Sequence, residues 1–163
     1  MKKIMTYFLI SIVAIIAMVF IIGLFIPKER TFTKTAVLHS DVNKVFNLVS
    51  DFKNQTTWRN DVKEVIVIDG NTWTEVPKKG TPITFKTKQK IQNELFEIEI
   101  IEPKNFSGYW VGTFEQTTAG TKVVFKEVVT IDNPLFRVMS LIFVDLDKTM
   151  EVYLNNMKTK LGE

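Results

Sequence analysis

The chain has 163 residues, 45% of them hydrophobic, and no cysteine, which excludes disulfides, thiolate nucleophiles and cysteine-ligated metals. Its formal charge of +3 is partly a property of the N-terminus: beyond Lys2 and Lys3, residues 28–163 carry 19 basic and 18 acidic side chains. So even a balance lacks the concentrated basic surface that binding a phosphate backbone needs, and it argues against nucleic acid as a partner.

Ile4 to Ile26 runs 23 residues without a charge. As a helix this stretch is about 34 Å long, enough to cross the hydrocarbon core of a bilayer. It is apolar on every face, which argues against a core helix. A cleaved secretory signal has a shorter apolar region, about 7–15 residues, and ends in small residues. Here the exit is Leu24, Phe25, Ile26 and Pro27. The expected organisation is a basic tail over residues 1–3, a single transmembrane helix over 4–26, a linker over 27–30 and one folded domain over 31–163. Lys2 and Lys3 are nearly balanced by Lys28, Arg30 and Lys34 across the span. A short basic start before an uncleaved apolar segment favours a domain outside the cytoplasm.

From Thr31 the apolar period changes to two, and Thr31 to Leu38 reads as a first strand. Ser40 and Asp41 supply N-cap oxygens, and Val42, Val45, Phe46 and Val49 fall at helical spacing up to about Phe52. Asn54 to Trp58 adds a short second turn. Strands follow over Val62–Asp69 and Thr72–Val76, joined by the hairpin signal Asp69-Gly70-Asn71. Thr81–Ile91, Leu95–Ile101, Phe106–Gln116 and Thr121–Ile131 complete the set. Lys86, Lys88 and Lys90 share one strand face, as solvated lysines do. Asn133 caps a last long helix and Pro134 fits its first turn. Its apolar positions, from Leu135 and Val138 through Ile142 and Leu146 to Met150, Leu154 and Met157, form a stripe facing a sheet. The expected class is α+β: a curved antiparallel sheet wrapped around a long C-terminal helix.

The stretch from Asp41 through Phe46 and Val49 to Phe52, followed by Trp58, resembles the first helix of the SRPBCC or START-like helix-grip superfamily. Gly120-Thr121-Lys122-Val123 is similar to its last hairpin, and Asn133-Pro134-Leu135-Phe136 to the start of its long helix. Asp147 to Met150, with Tyr153, Leu154 and Met157, resembles the end of that helix in bacterial members of the polyketide cyclase/dehydrase type. An apolar anchor ending in Phe25-Ile26-Pro27-Lys28 is likewise similar to small bacterial proteins of this group. Where many members have proline at the first helix, this chain has Asp41-Val42, and a capping aspartate does similar work. The resemblance covers about 130 residues and implies an apolar cavity between sheet and helix that holds hydrophobic or amphipathic small molecules. It does not imply a reaction, because the fold hosts carriers, cyclases and hydrolases.

His39 is the only histidine, at a strand–helix junction, and no nucleophile-elbow motif accompanies it. No phosphate loop, dinucleotide fingerprint or paired aspartate cluster appears, so no cofactor or metal is expected. Trp73 and Glu75 alternate on one strand face, Thr87 follows Phe85 on another, and Glu127 lies on the apolar face of the last strand. If those faces point inward, Trp73, Glu75, Phe85, Thr87, Phe96, Ile98, Trp110, Phe114, Phe125 and Glu127 line a ligand pocket. The alternative places Glu75 at a strand end in solvent and pairs Glu127 with a neighbouring lysine. The expected function is a membrane-anchored binding module for a lipid or other hydrophobic small molecule. The rivals are a cyclase/dehydrase-type enzyme using Glu75 or Glu127 as acid or base, and an interaction protein with a vestigial pocket.

Overall fold

The computed structural model describes residues 2–163, with side chains from residue 3 onward. Helix α1 (Lys2–Phe25) is followed by strand β1 (Glu29–Leu38), helix α2 (Val42–Ser50) and a 3-10 turn over Phe52–Thr57. Six strands come next: β2 (Val62–Val67), β3 (Thr72–Pro77), β4 (Ile83–Ile91), β5 (Leu95–Glu102), β6 (Ser107–Thr117) and β7 (Gly120–Thr130). Helices α3 (Pro134–Phe143) and α4 (Leu146–Leu161) close the chain. The seven strands form one antiparallel sheet in the order β1-β7-β6-β5-β4-β3-β2. Consecutive hairpins build β2 to β7, and β1 returns to pair along the whole of β7, from Glu29 opposite Thr130 to Leu38 opposite Thr121. Strand β1 therefore takes in Glu29 and Arg30, two residues earlier than the periodicity suggests. Register shifts between Thr84 and Phe85 and between Thr87 and Gln89 mark bulges, which bend strands.

Local chemistry explains the joints. The Asp41 side chain accepts from the Asn43 backbone N–H and caps α2. The Asp69 carboxylate accepts from the Asn71 N–H at 2.7 Å and tightens the β2–β3 hairpin. Gly120 opens β7 with φ of +123°, and a Cβ there would lie 2.0 Å from the Leu38 carbonyl oxygen. Only glycine serves at that position. The core lies between the sheet, α2 and α4. Leu38, Val45, Phe46, Val49, Trp73, Phe96, Phe114, Val123, Phe125, Met150, Leu154 and Met157 are buried together.

The C-terminal stripe does not belong to one helix. It breaks at Val144, which is extended, and Asp145 starts α4 by accepting from the Lys148 N–H at 3.0 Å. Only α4 lays its stripe on the sheet. In α3 Phe136, Met139, Ile142 and Phe143 are exposed, and the helix packs on α1 instead. The local mark of the break is Asp145, whose side chain caps the first turn of α4. Asp145→Ala removes the α4 cap and is expected to cost about 1 kcal/mol. Chemical denaturation with tryptophan fluorescence as the signal measures it, and no change would mean the cap carries no stability.

Among the described residues one helix, α1, is long and apolar enough to cross a membrane. Every side chain from Lys3 to Met18 is exposed. Its C-terminal end is fastened to the domain. Arg137, only 5% exposed, donates from Nη1 to the carbonyls of Gly23 at 3.1 Å and Ile26 at 3.3 Å. It also donates from Nε to Ile131 at 2.8 Å and from Nη2 to Asp132 at 2.7 Å. A cation at the carbonyl end of a helix is favoured by the helix dipole.

Candidate functional site

A cavity of about 430 Å³ lies between the β4–β5 and β7–β1 sides of the sheet and the α3–α4 junction. Its walls are largely apolar: Ile83, Phe85, Ile100, Phe106, Val129, Ile131, Phe143, Val144 and Leu146. Lys28, Arg30, Arg137 and Ser140 stand at the end nearest α1, and Glu127 contributes the one carboxyl group. The size fits a small organic molecule or an acyl chain segment. The break between α3 and α4 shapes this space, because an unbroken helix would carry Phe143 and Val144 elsewhere.

Glu127 sits mid-strand on β7, between Trp110 of β6 and Phe32 of β1. Burial pushes its carboxyl up to about 7; the Arg59 guanidinium opposes that shift and the charge of Glu75 adds to it. No hydrogen-bond donor among the described residues reaches it. The group is thus poised to be neutral or charged near pH 7. Neutral, it donates a proton to a ligand oxygen; charged, it accepts a hydrogen bond or pairs with a cation.

Beside it lies a buried polar network centred on Arg59. Its Nη1 donates to Glu75 Oε2 at 2.7 Å and to Gln55 Oε1 at 2.8 Å, and its Nη2 donates to Asp61 Oδ2 at 2.6 Å. The Glu75 Oε1 atom also accepts from the Trp73 indole N–H at 3.2 Å. Arg59 lies 5.3 Å from the centre of the Tyr153 ring, a cation–π distance. Burial works against the charge on Arg59, but its carboxylate partners, Glu75 foremost, hold the guanidinium above its ordinary range. Burial likewise works against the charge on Asp61, and the hydrogen bond from Arg59 holds that carboxyl below the usual carboxylate range. Burial also pushes the Tyr153 hydroxyl up, so it stays a neutral donor.

The ten sequence-derived positions do not share one surface. Phe85 and Glu127 line the cavity. Trp73, Phe96, Ile98, Phe114 and Phe125 are buried core, with Trp73 stacked on Phe52 at 4.2 Å. Trp110 is partly buried in an aromatic cluster, 5.0 Å from Phe125 and 6.1 Å from Tyr153, and does not line the cavity. Glu75 is buried behind Arg59 instead of standing at a strand end in solvent. Thr87 is half-buried away from the cavity, its N–H bonded to the Asn71 carbonyl. Sequence reasoning missed Arg59, Arg137 and Tyr153. One signal was available: the chain has only three arginines, Arg30, Arg59 and Arg137, among many lysines. Arginine is the residue suited to buried, multiply bonded positions. His39 is exposed, 3.5 Å from Glu163. Among the described residues no three histidine or carboxylate side chains cluster to hold a metal.

Sequence comparison finds no match, either to a protein-family model or to a curated protein. Structural comparison does. A norcoclaurine synthase from Thalictrum flavum superposes with a TM-score of 0.66 at 8% identity, covering 80% of this chain and 92% of that one. A protein from Thermus thermophilus gives 0.64 at 16% identity, covering 80% and 95%. The di-domain ARO/CYC StfQ of the steffimycin biosynthetic pathway gives 0.64 at 11% identity, covering 80% of this chain and 50% of its own. The fold is therefore the one these proteins share, an α+β helix grip with a curved antiparallel sheet against C-terminal helices.

Proposed function

We propose that the protein is a membrane-anchored binding module that holds a lipid or another hydrophobic small molecule in the cavity bordered by Glu127. The observation that carries this reading is the cavity itself: about 430 Å³, apolar-walled, with a single adaptable carboxyl, at the end of the domain where α1 leaves. Its neighbours in fold include small-molecule enzymes, which supports the cavity as the working part. The anchor is α1, with the domain outside the cytoplasm, and the ligand concentrates in the membrane beside it.

The full chain, extracted in mild detergent after a carbonate wash, is the material to test. The chain is expected to resist carbonate, since apolar transfer is not screened by salt, and to carry co-purified lipid seen by mass spectrometry. Release by carbonate would remove the anchor, and a Ser140→Trp variant that retains the same lipid would remove the cavity. Glu127 favours one second reading, a cyclase/dehydrase-type enzyme, because a carboxyl poised near 7 inside an apolar cavity is suited to acid–base work. Glu75, tied to Arg59 and Trp73, is not free for that role. Turnover of a cyclisation substrate that is lost in Glu127→Gln would favour the enzyme.

A further inference from the structure

Helix α3 leaves an apolar face without a protein partner. Phe136, Met139, Leu141, Ile142 and Phe143 are 47–71% exposed, and together they form a contiguous greasy surface of the kind soluble monomers rarely present. The only charged residue in α3 is Arg137, which is buried and bonded to backbone carbonyls, so no charge interrupts the face. With 10 residues, α3 is too short to span a bilayer.

Its position says what covers it. The shielded residues of α1 and its exit are Val19, Gly23 and Ile26, spaced four and three apart on one side of the helix end. A Cβ at Gly23 would lie 2.1 Å from the Pro134 carbonyl oxygen, so the two backbones touch there. Arg137 adds two hydrogen bonds across the same contact. The depth of α3 is thus set by the last two turns of α1. With the apolar stretch of α1 in hydrocarbon, a helix fastened to those turns lies at the margin of the same leaflet.

We propose that α3 is a second membrane contact, embedded beside α1, and that it turns the mouth of the Glu127 cavity onto lipid. Ser140, Phe143 and Val144 belong both to this segment and to the cavity lining, so the seated helix forms the sill of the entrance. A hydrophobic ligand then passes between bilayer and cavity without crossing water. An interfacial helix of this kind binds through apolar area more than charge. The proposal rests on the anchoring reading above.

The test uses the full chain in phosphatidylcholine vesicles, and the absence of native cysteine makes single labels simple. Leu141→Cys and Ile142→Cys on α3, Val13→Cys in α1 and Ile66→Cys on β2 are each labelled with an environment-sensitive fluorophore. All four side chains are exposed, so the labels disturb little packing. The α3 labels are expected to shift to the blue and to be quenched several-fold more than the Ile66 label by lipids spin-labelled near the headgroup, and the mid-span Val13 label to be quenched by lipids spin-labelled deep in the acyl chain. High salt should not reverse this. If the α3 labels behave like Ile66 while Val13 is quenched, the anchor stands and the α3 proposal falls. If Val13 is not quenched, the anchoring reading falls and this one with it. Labels shielded from iodide yet untouched by spin-labelled lipid would mean that a second copy or another protein covers α3, which also overturns it.

Discussion

Arg59→Ala is expected to be among the most damaging single substitutions in the domain, costing about 3–5 kcal/mol. The side chain is 13% exposed and holds Glu75, 11% exposed, together with Gln55 and Asp61. Truncation leaves the Glu75 carboxylate buried with only the Trp73 indole N–H as donor. It also removes the cation above the Tyr153 ring. Lysine is a poor substitute, because one ammonium cannot reproduce the planar fork that reaches three acceptors at once. The measurement is urea unfolding of the detergent-solubilised chain followed by tryptophan fluorescence. A loss below about 1 kcal/mol would place the network among ordinary surface ion pairs. Replacing both partners, as in Arg59→Met with Glu75→Leu, is expected to recover much of the loss, since exchange of a buried pair for apolar groups is often neutral. Recovery in the double variant separates an orphaned charge from lost packing.

Glu127→Gln is expected to stabilise the protein at pH 8 and to leave it unchanged at pH 4. The carboxyl titrates near 4.5 in the unfolded chain and is raised to about 7 in the fold by burial. Between those values the folded state binds more protons than the unfolded one, so stability falls as pH rises through the window. Below it both states are protonated, and above it both are ionised, so the contribution is level on either side. A shift of this size corresponds to about 3 kcal/mol lost between pH 4.5 and 7. Glutamine resembles the neutral acid and does not titrate. The difference between variant and wild type should therefore grow from near zero to about 3 kcal/mol across that range. Comparing the two cancels the other titrating groups. A difference flat with pH would mean that Glu127 is solvated and ionised, and would remove it from the cavity wall. A ligand that protects the neutral carboxyl should shift the window upward when bound.

The consequence for function is a division of labour between two carboxylates. Glu75 is committed to structure by Arg59 and Trp73, while Glu127 faces the cavity with no protein donor among the described residues. Residue type does not distinguish them, since both alternate with apolar neighbours on strands. What separates them is a loop residue, Arg59, brought 16 positions along the chain to Glu75.

The sequence by itself determined much of the architecture. Local period-two and helical patterns, the Asp41 and Asn133 caps and the Asp69-Gly70-Asn71 turn are short-range signals, and the order of elements followed from them. The apolar run up to Ile26 marked its own helix for the same reason. The tertiary structure alone decided three things. It divided inward-facing residues into solid core, such as Trp73 and Phe125, and cavity wall, such as Phe85 and Glu127, because one inward face serves both and only the packing across the sheet tells them apart. It split the C-terminal stripe at Val144 and Asp145, since an apolar pattern continues unchanged whether its partner is a sheet or another helix. And it brought Arg137 to the end of α1 and Arg59 to Glu75, contacts between residues 114 and 16 positions apart, which no local pattern encodes.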